Sequence, residues 1–288
     1  MKTSTVNYRK EKVEDLNIFY REAGSDDAPI VLLLHGYPTS SHMFRNLIPI
    51  LSEKYHVIAP DLPGFGFTDA PGYKEFAYTF DNLTKYIQGF INQLGLKRFA
   101  IYVFDYGAPV GYRLAVANPE KIAGIISQNG NAYLEGLSDG WNPIQKYWIE
   151  PTEENRNNLR TMTTAGTTQW QYFTGVSDPT LIAPESYSLD QFFLERDGNV
   201  ELQLDLFRDY ANNVALYPTF QQYFRDKQPP LLAVWGDKDP FFLPAGADAF
   251  KRDIPNATVK FFDTGHFALE THVNEIGQEI LDFLAKLP

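Results

Sequence analysis

Apolar runs recur along the chain at residues 30–34, 57–59, 99–104, 122–127 and 231–235, each hydrophobic nearly throughout. That is the pattern of strands covered on both faces of a parallel sheet. A sixth, shorter run at 259–262 has the same character. Helical periods lie between them. Ser40 or Ser41 can cap a helix ending near Lys54, and Thr79 can cap the next. In that second helix Phe80, Leu83, Ile87, Phe90, Ile91 and Leu94 share one face until Gly95 ends it. Strand alternating with helix predicts an α/β protein with a mostly parallel sheet and right-handed crossovers. Segments 6–9 and 16–21 read as an antiparallel hairpin at the sheet edge.

The rhythm breaks at residues 131–228. A crossover between parallel strands needs only about a dozen residues, so this segment is an insertion, with the core at 1–130 and 229–288. Its patterns are helical at 189–196, 200–210 and 215–224, and it is rich in Trp and Tyr. Such helices can pack on the core for stability alone. Their emergence from the strand-end side, where open α/β sheets bind ligands, favours a cap over a site.

Composition narrows the function. The formal net charge of −11 disfavours nucleic acid and anionic membranes as partners. There is no cysteine, which removes disulfides, thiolate nucleophiles and cysteine–metal sites and suits a cytoplasmic setting. The first 21 residues are polar, unlike a signal peptide. The longest aliphatic run, 30–34, falls far short of the roughly 20 residues that span a bilayer. His42, His56 and His272 have no carboxylate or histidine at ligand spacing in the sequence, so no metal is expected. No segment forms a nucleotide-binding glycine motif, so a bound nucleotide is not expected.

Chemistry concentrates where strands end. The third apolar run, 99–104, leads straight into Asp105, and Gly107 and Gly111 open a helix. This matches a strand–nucleophile–helix elbow, with Asp where Ser is usual; Asp is also a good helix cap. His266 follows the sixth run within Gly-His-Phe, and Asp239 follows the fifth within Gly-Asp-Lys-Asp-Pro, a sequence that also suits a turn. The order nucleophile, acid, histidine is that of a known hydrolase fold, and it makes Asp105, Asp239 and His266 the catalytic candidates. Asp237, one residue past Gly236, is the weaker acid candidate. The loop His35-Gly-Tyr-Pro follows the first run, so the backbone N–H groups of Tyr37 and Tyr106 are the candidate oxyanion hole. His35 reads as a hydrogen-bonded residue of the substrate loop rather than a second base.

With these residues in place, the chain resembles the epoxide hydrolase and haloalkane dehalogenase branch of the α/β-hydrolases. The similarity runs nearly the full length, through His-Gly-Tyr-Pro-Thr-Ser-Ser, Pro-Asp-Leu-Pro-Gly-Phe-Gly, the Asp105 elbow, Trp-Gly-Asp-Lys-Asp-Pro and Gly-His-Phe. The resemblance implies a hydrolysis in two steps with no cofactor, a small-molecule substrate and water being the partners. Asp105 forms an ester with a substrate carbon, and His266, oriented by Asp239, activates water against it. Dehalogenases of the branch usually hold halide with Trp after the nucleophile and with Asn after His-Gly or a lid Trp; here Tyr106 and Tyr37 occupy those core positions. Epoxide hydrolases use two lid tyrosines, for which Tyr147 and Tyr217 are the counterparts, with Trp148 beside them. Tyr106 departs from the Trp, and Phe104 from the His or Gln, common in that group. The expectation is an epoxide hydrolase-like enzyme for a small to medium apolar substrate, with a dehalogenase of altered halide site or a non-catalytic ligand-binding homologue as rivals.

Overall fold

The computed structural model describes residues 5–288, so the first four of the polar N-terminal stretch lie outside it. The chain opens with a hairpin, β1 (Asn7–Val13) and β2 (Leu16–Ala23), then enters β3 (Ile30–Leu34). The expected single helix near Lys54 is instead a 3-10 turn at Ser41–Phe44 followed by a short α1 (Leu47–Leu51). Pro49 explains the break: proline fits only the first turn of a helix, so the helix restarts just before it. Next come β4 (His56–Pro60), α2 (Phe80–Gln93), β5 (Phe99–Phe104), α3 (Gly107–Ala117) and β6 (Ile122–Gln128). The Thr79 side chain accepts the Asn82 N–H and caps α2.

Between β6 and β7 the chain leaves the sheet. It runs through α4 (Asn142–Ile149), α5 (Glu153–Asn158), α6 (Ala165–Phe173), α7 (Pro184–Leu194) and α8 (Asn199–Lys227). The two helical patterns expected at 200–210 and 215–224 are one helix, continuous through Pro218. Proline inside a helix costs about 3 kcal/mol. Each fully buried large apolar side chain contributes about 1.5–3 kcal/mol, and Tyr217, Phe220 and Phe224 are all buried around the break, so burial prevails. The fold closes with β7 (Leu231–Gly236), α9 (Pro244–Asp253), β8 (Thr258–Phe262) and α10 (Ala268–Leu284).

The strands form one sheet in the order β1-β2-β4-β3-β5-β6-β7-β8. β1, β2 and β4 pair antiparallel, and from β4 onward the neighbours run parallel. Alternate residues feed two cores. Leu32, Leu34, Ile101, Val103 and Trp235 pack with Ile87 and Phe90 of α2 and Val110 of α3. Val31, Leu33, Ala100, Tyr102 and Val234 pack with Leu47 of α1 and Ile276 and Ile280 of α10. Both faces are therefore covered, which is why these strands read as unbroken apolar runs. β8 departs from that expectation: it is the edge strand, and Lys260 and Phe261 are exposed. Among the described residues, no helix is long and apolar enough to cross a membrane.

Parallel pairing sets the C-terminal ends of β3, β5, β6, β7 and β8 side by side on one rim. Gly107 lets α3 begin there against β3: a Cβ on it would stand 2.4 Å from the Leu34 carbonyl oxygen and 2.8 Å from that of His35. Both are backbone atoms and cannot swing aside. Gly107→Ala should therefore destabilise the protein by about 1–3 kcal/mol, read as a lowered midpoint in urea unfolding; an unchanged midpoint would refute the contact.

Candidate active site

β5 ends at Phe104, and Asp105 turns the corner with φ +47°. This is the left-handed region, unfavourable for a residue with a Cβ and typical of strained functional corners. The corner lifts the Asp105 side chain above the sheet, where it is buried. The Tyr37 N–H donates to its Oδ1 at 2.6 Å, and the Tyr106 amide also hydrogen-bonds the carboxylate. Gly36 permits this approach, since a Cβ there would sit 2.4 Å from Asp105 Oδ1. The other oxygen, Oδ2, lies 3.9 Å from His266 Nε2, too far for a direct hydrogen bond. One carboxylate oxygen is thus anchored and the other faces the imidazole. Burial pushes the Asp105 carboxyl up to about 6, against the opposing pull of the His266 charge and the Tyr37 and Tyr106 amides.

His266 sits in the loop between β8 and α10, its ring enclosed by Phe104, Phe267, Phe241 and Phe242 at centroid distances of 4.6, 5.0, 5.9 and 5.9 Å. Its Nδ1 lies 2.7 Å from Asp239 Oδ2. With the proton on Nδ1 donated to that carboxylate, Nε2 faces Asp105 and is the nitrogen that gains or gives up the second proton. Burial disfavours the imidazolium, but the charge and hydrogen bond of Asp239, aided by the charge of Asp105, outweigh it, and the His266 pKa is raised. Asp239 is itself secured: Oδ1 accepts the N–H groups of Phe241 and Phe242 at 2.7 and 3.1 Å. Asp237 is exposed and does not join this group.

Asn129 belongs to the site as well, and motif reading passes over it. It follows β6 with φ +45°, is fully buried, and donates from Nδ2 to Asp239 Oδ2 at 2.6 Å. Its Oδ1 accepts the Gly236 N–H at 3.1 Å, tying the ends of β6 and β7 together. The available signal was positional: a polar residue just past a core strand adjacent to that of Asp105.

The cavity over Asp105 has a volume of about 20 Å³ and is lined by Tyr37, Tyr106, Trp141, Ile144, Met162, Gln171, Phe207, Phe241 and His266. That is space for one or two water molecules. The expected substrate-side residues His35, Tyr147, Trp148 and Tyr217 are not in this lining. Each has its polar atoms engaged elsewhere. His35 bridges the core loops, its Nδ1 3.0 Å from the Gly36 carbonyl and its Nε2 accepting the Leu62 N–H at 2.9 Å. The Tyr147 hydroxyl accepts from Arg156 at 3.1 Å, Trp148 Nε1 donates to the Phe207 carbonyl at 2.7 Å, and the Tyr217 hydroxyl meets Asn131 Nδ2 at 3.2 Å. The residue that does reach the cavity from α6, Gln171, carries no motif. Its neighbour Tyr172 stacks on Phe267 with ring centroids 3.8 Å apart. On the sheet edge, His56 meets Glu22 at 2.9 Å and lies 3.9 Å from exposed Asp26, carboxylates its local sequence does not show. Arg9 holds Glu22 at 2.6 Å, which makes this grouping an ion-pair network.

A hydrolase of Saccharomyces cerevisiae, YNR064C, is 44% identical over 99% of this chain and 100% of its own length. A haloalkane dehalogenase of Psychrobacter cryohalolentis is 27% identical over 95% of this chain and 89% of its own. The crystal structure of Cfl2 from Burkholderia cenocepacia superposes with a TM-score of 0.81 at 20% identity, covering 98% of this chain and 97% of that one; at that identity the likeness concerns the fold. A model described as the alpha/beta hydrolase fold matches residues 29–273. The parallel sheet, the acidic elbow after β5 and these relatives lead to one conclusion: the chain is a hydrolase and belongs to the α/β-hydrolase fold family.

Proposed function

We propose that this hydrolase opens small epoxides through a covalent ester on Asp105 and releases the diol with water activated by His266. One observation carries the reading: the elbow bears a carboxylate whose Oδ1 accepts the Tyr37 amide, with the Tyr106 amide also bonded to the carboxylate, while Oδ2 faces the imidazole at a small cavity. Oδ2 attacks a ring carbon, and the ring C–O bond breaks with its electron pair on oxygen. A carboxylate is adequate at an sp³ carbon with a strained leaving group and needs no base to activate it. His266 then takes a proton from water as the water oxygen attacks the carboxyl carbon. Negative charge builds on Oδ1, where the Tyr37 amide already points and the Tyr106 amide bonds the same carboxylate. Collapse breaks the ester, and the departing alcohol oxygen recovers the proton from His266. Asp239, steadied by Asn129, keeps the imidazole in the tautomer this step requires.

The apolar lining of the cavity suits an apolar substrate. It also bears on the leaving group. The indole N–H groups of Trp141 and Trp148 donate to the backbone carbonyls of Phe241 and Phe207, so neither is free to hold a halide. The second reading, a haloalkane substrate, is favoured by the name of the Psychrobacter relative. Halide release from bromoalkanes, with no turnover of epoxides, would establish it in place of the first.

Asp105→Ala should lower turnover by about 10⁴-fold or more. His266→Gln should retain the first step and stall the second, so the intact protein gains the mass of one epoxide; a variant that never gains mass with any epoxide the parent hydrolyses would refute the covalent route. The acid limb follows from the raised carboxyl. Only ionised Asp105 attacks, so kcat/KM should be flat near neutrality and fall tenfold per pH unit below about 6. A limb near 4 would mean the carboxylate is not desolvated.

A further inference from the structure

Two buried polar atoms among the residues lining this cavity have no hydrogen-bond partner: the Tyr106 hydroxyl and Gln171 Nε2. A buried donor left unmade is destabilising, and a ligand accepting both hydrogen bonds removes that penalty. The other candidate donors around the cavity are already engaged. The Tyr37 hydroxyl donates to the Met162 carbonyl at 2.8 Å, and the Trp141 N–H to the Phe241 carbonyl at 3.1 Å. Tyr147 and Tyr217, the expected partners of an epoxide oxygen, are bonded to Arg156 and Asn131 outside the lining.

We propose that Tyr106 and Gln171 receive the oxygen expelled in ring opening, the Gln171 amide holding it and the Tyr106 hydroxyl protonating it. This rests on the epoxide reading above. Tyr106 comes from the elbow and Gln171 from α6 of the cap, so the pair is complete only with the cap seated. The protons balance. The alkoxide takes the Tyr106 proton and leaves a phenolate. Water gives one proton to His266, which passes it to the second diol oxygen. The proton that stays on the Asp105 carboxyl after ester cleavage returns to the phenolate. Burial holds the Tyr106 hydroxyl protonated, and the Asp105 charge adds to this in the free enzyme. Ester formation neutralises that charge at the step where the hydroxyl must donate.

The test uses the full chain carrying His266→Gln, mixed with 1,2-epoxybutane or with 1-bromobutane and followed by intact-protein mass over time. Adding Tyr106→Phe should slow the epoxide adduct about 100-fold and the bromide adduct far less, because bromide leaves without a proton. Adding Gln171→Leu should slow the epoxide adduct by a similar factor, with the thermal midpoint unchanged or raised. Epoxide adducts forming at the parent rate in both variants would overturn the pair while leaving the covalent reading intact. Equal slowing of both reagents by Tyr106→Phe would overturn the proton transfer. No epoxide adduct even in the parent would bring down the epoxide reading and this inference together.

Discussion

A carboxylate held almost dry, with its two oxygens in different environments, is the constraint on which the rest of this structure depends. Water would make both oxygens of Asp105 equivalent and well solvated; burial removes that and raises the pKa to about 6. What keeps the group ionisable near neutrality is the imidazole charge on one side and backbone amides on the other. The amides reach it because Asp105 takes a left-handed corner and Gly36 has no side chain to keep the β3 loop away. Removing either condition would leave a buried carboxyl with its charge uncompensated.

The sheet turns this local arrangement into a site. β3, β5, β6, β7 and β8 are spatial neighbours, and each delivers a group from its C-terminal end: the Tyr37 amide, Asp105, Asn129, Asp239 and His266. Five strand ends cross the site in a row, so the backbone ladder fixes the spacing that the side chains then refine. Asn129 shows how dense the refinement is. It contacts Asp239 with one end of its amide and the β7 backbone with the other, so a shift between two strands would be felt at the imidazole.

Legibility in the sequence followed the same division. Strands covered on both faces announce themselves, because burial on two sides leaves no polar alternation, and the residues just past them were readable as a rim. Asp105, Asp239 and His266 could be found for that reason, and the structure brings them within reach of one another. The cap resisted. α5, Glu-Glu-Asn-Arg-Asn-Asn, has no apolar period, and α8 hides its continuity behind Pro218. Tyr147 and Tyr217, with Trp148 beside Tyr147, are expected at the cavity because the epoxide hydrolases that the chain resembles use two lid tyrosines there. A helix face is set by packing, which motif position does not encode, and these three turned toward Arg156, the Phe207 carbonyl and Asn131. Gln171 is not legible, because a lone glutamine carries no pattern.

Adjacent positions on α6 have separate duties: residue 171 faces the cavity while the ring of residue 172 lies flat on Phe267, the residue after His266. Moving α6 far enough to admit a molecule therefore loosens the clamp on the loop that carries the imidazole. One stacked pair thus joins the helix that lines the cavity to the loop that carries the imidazole.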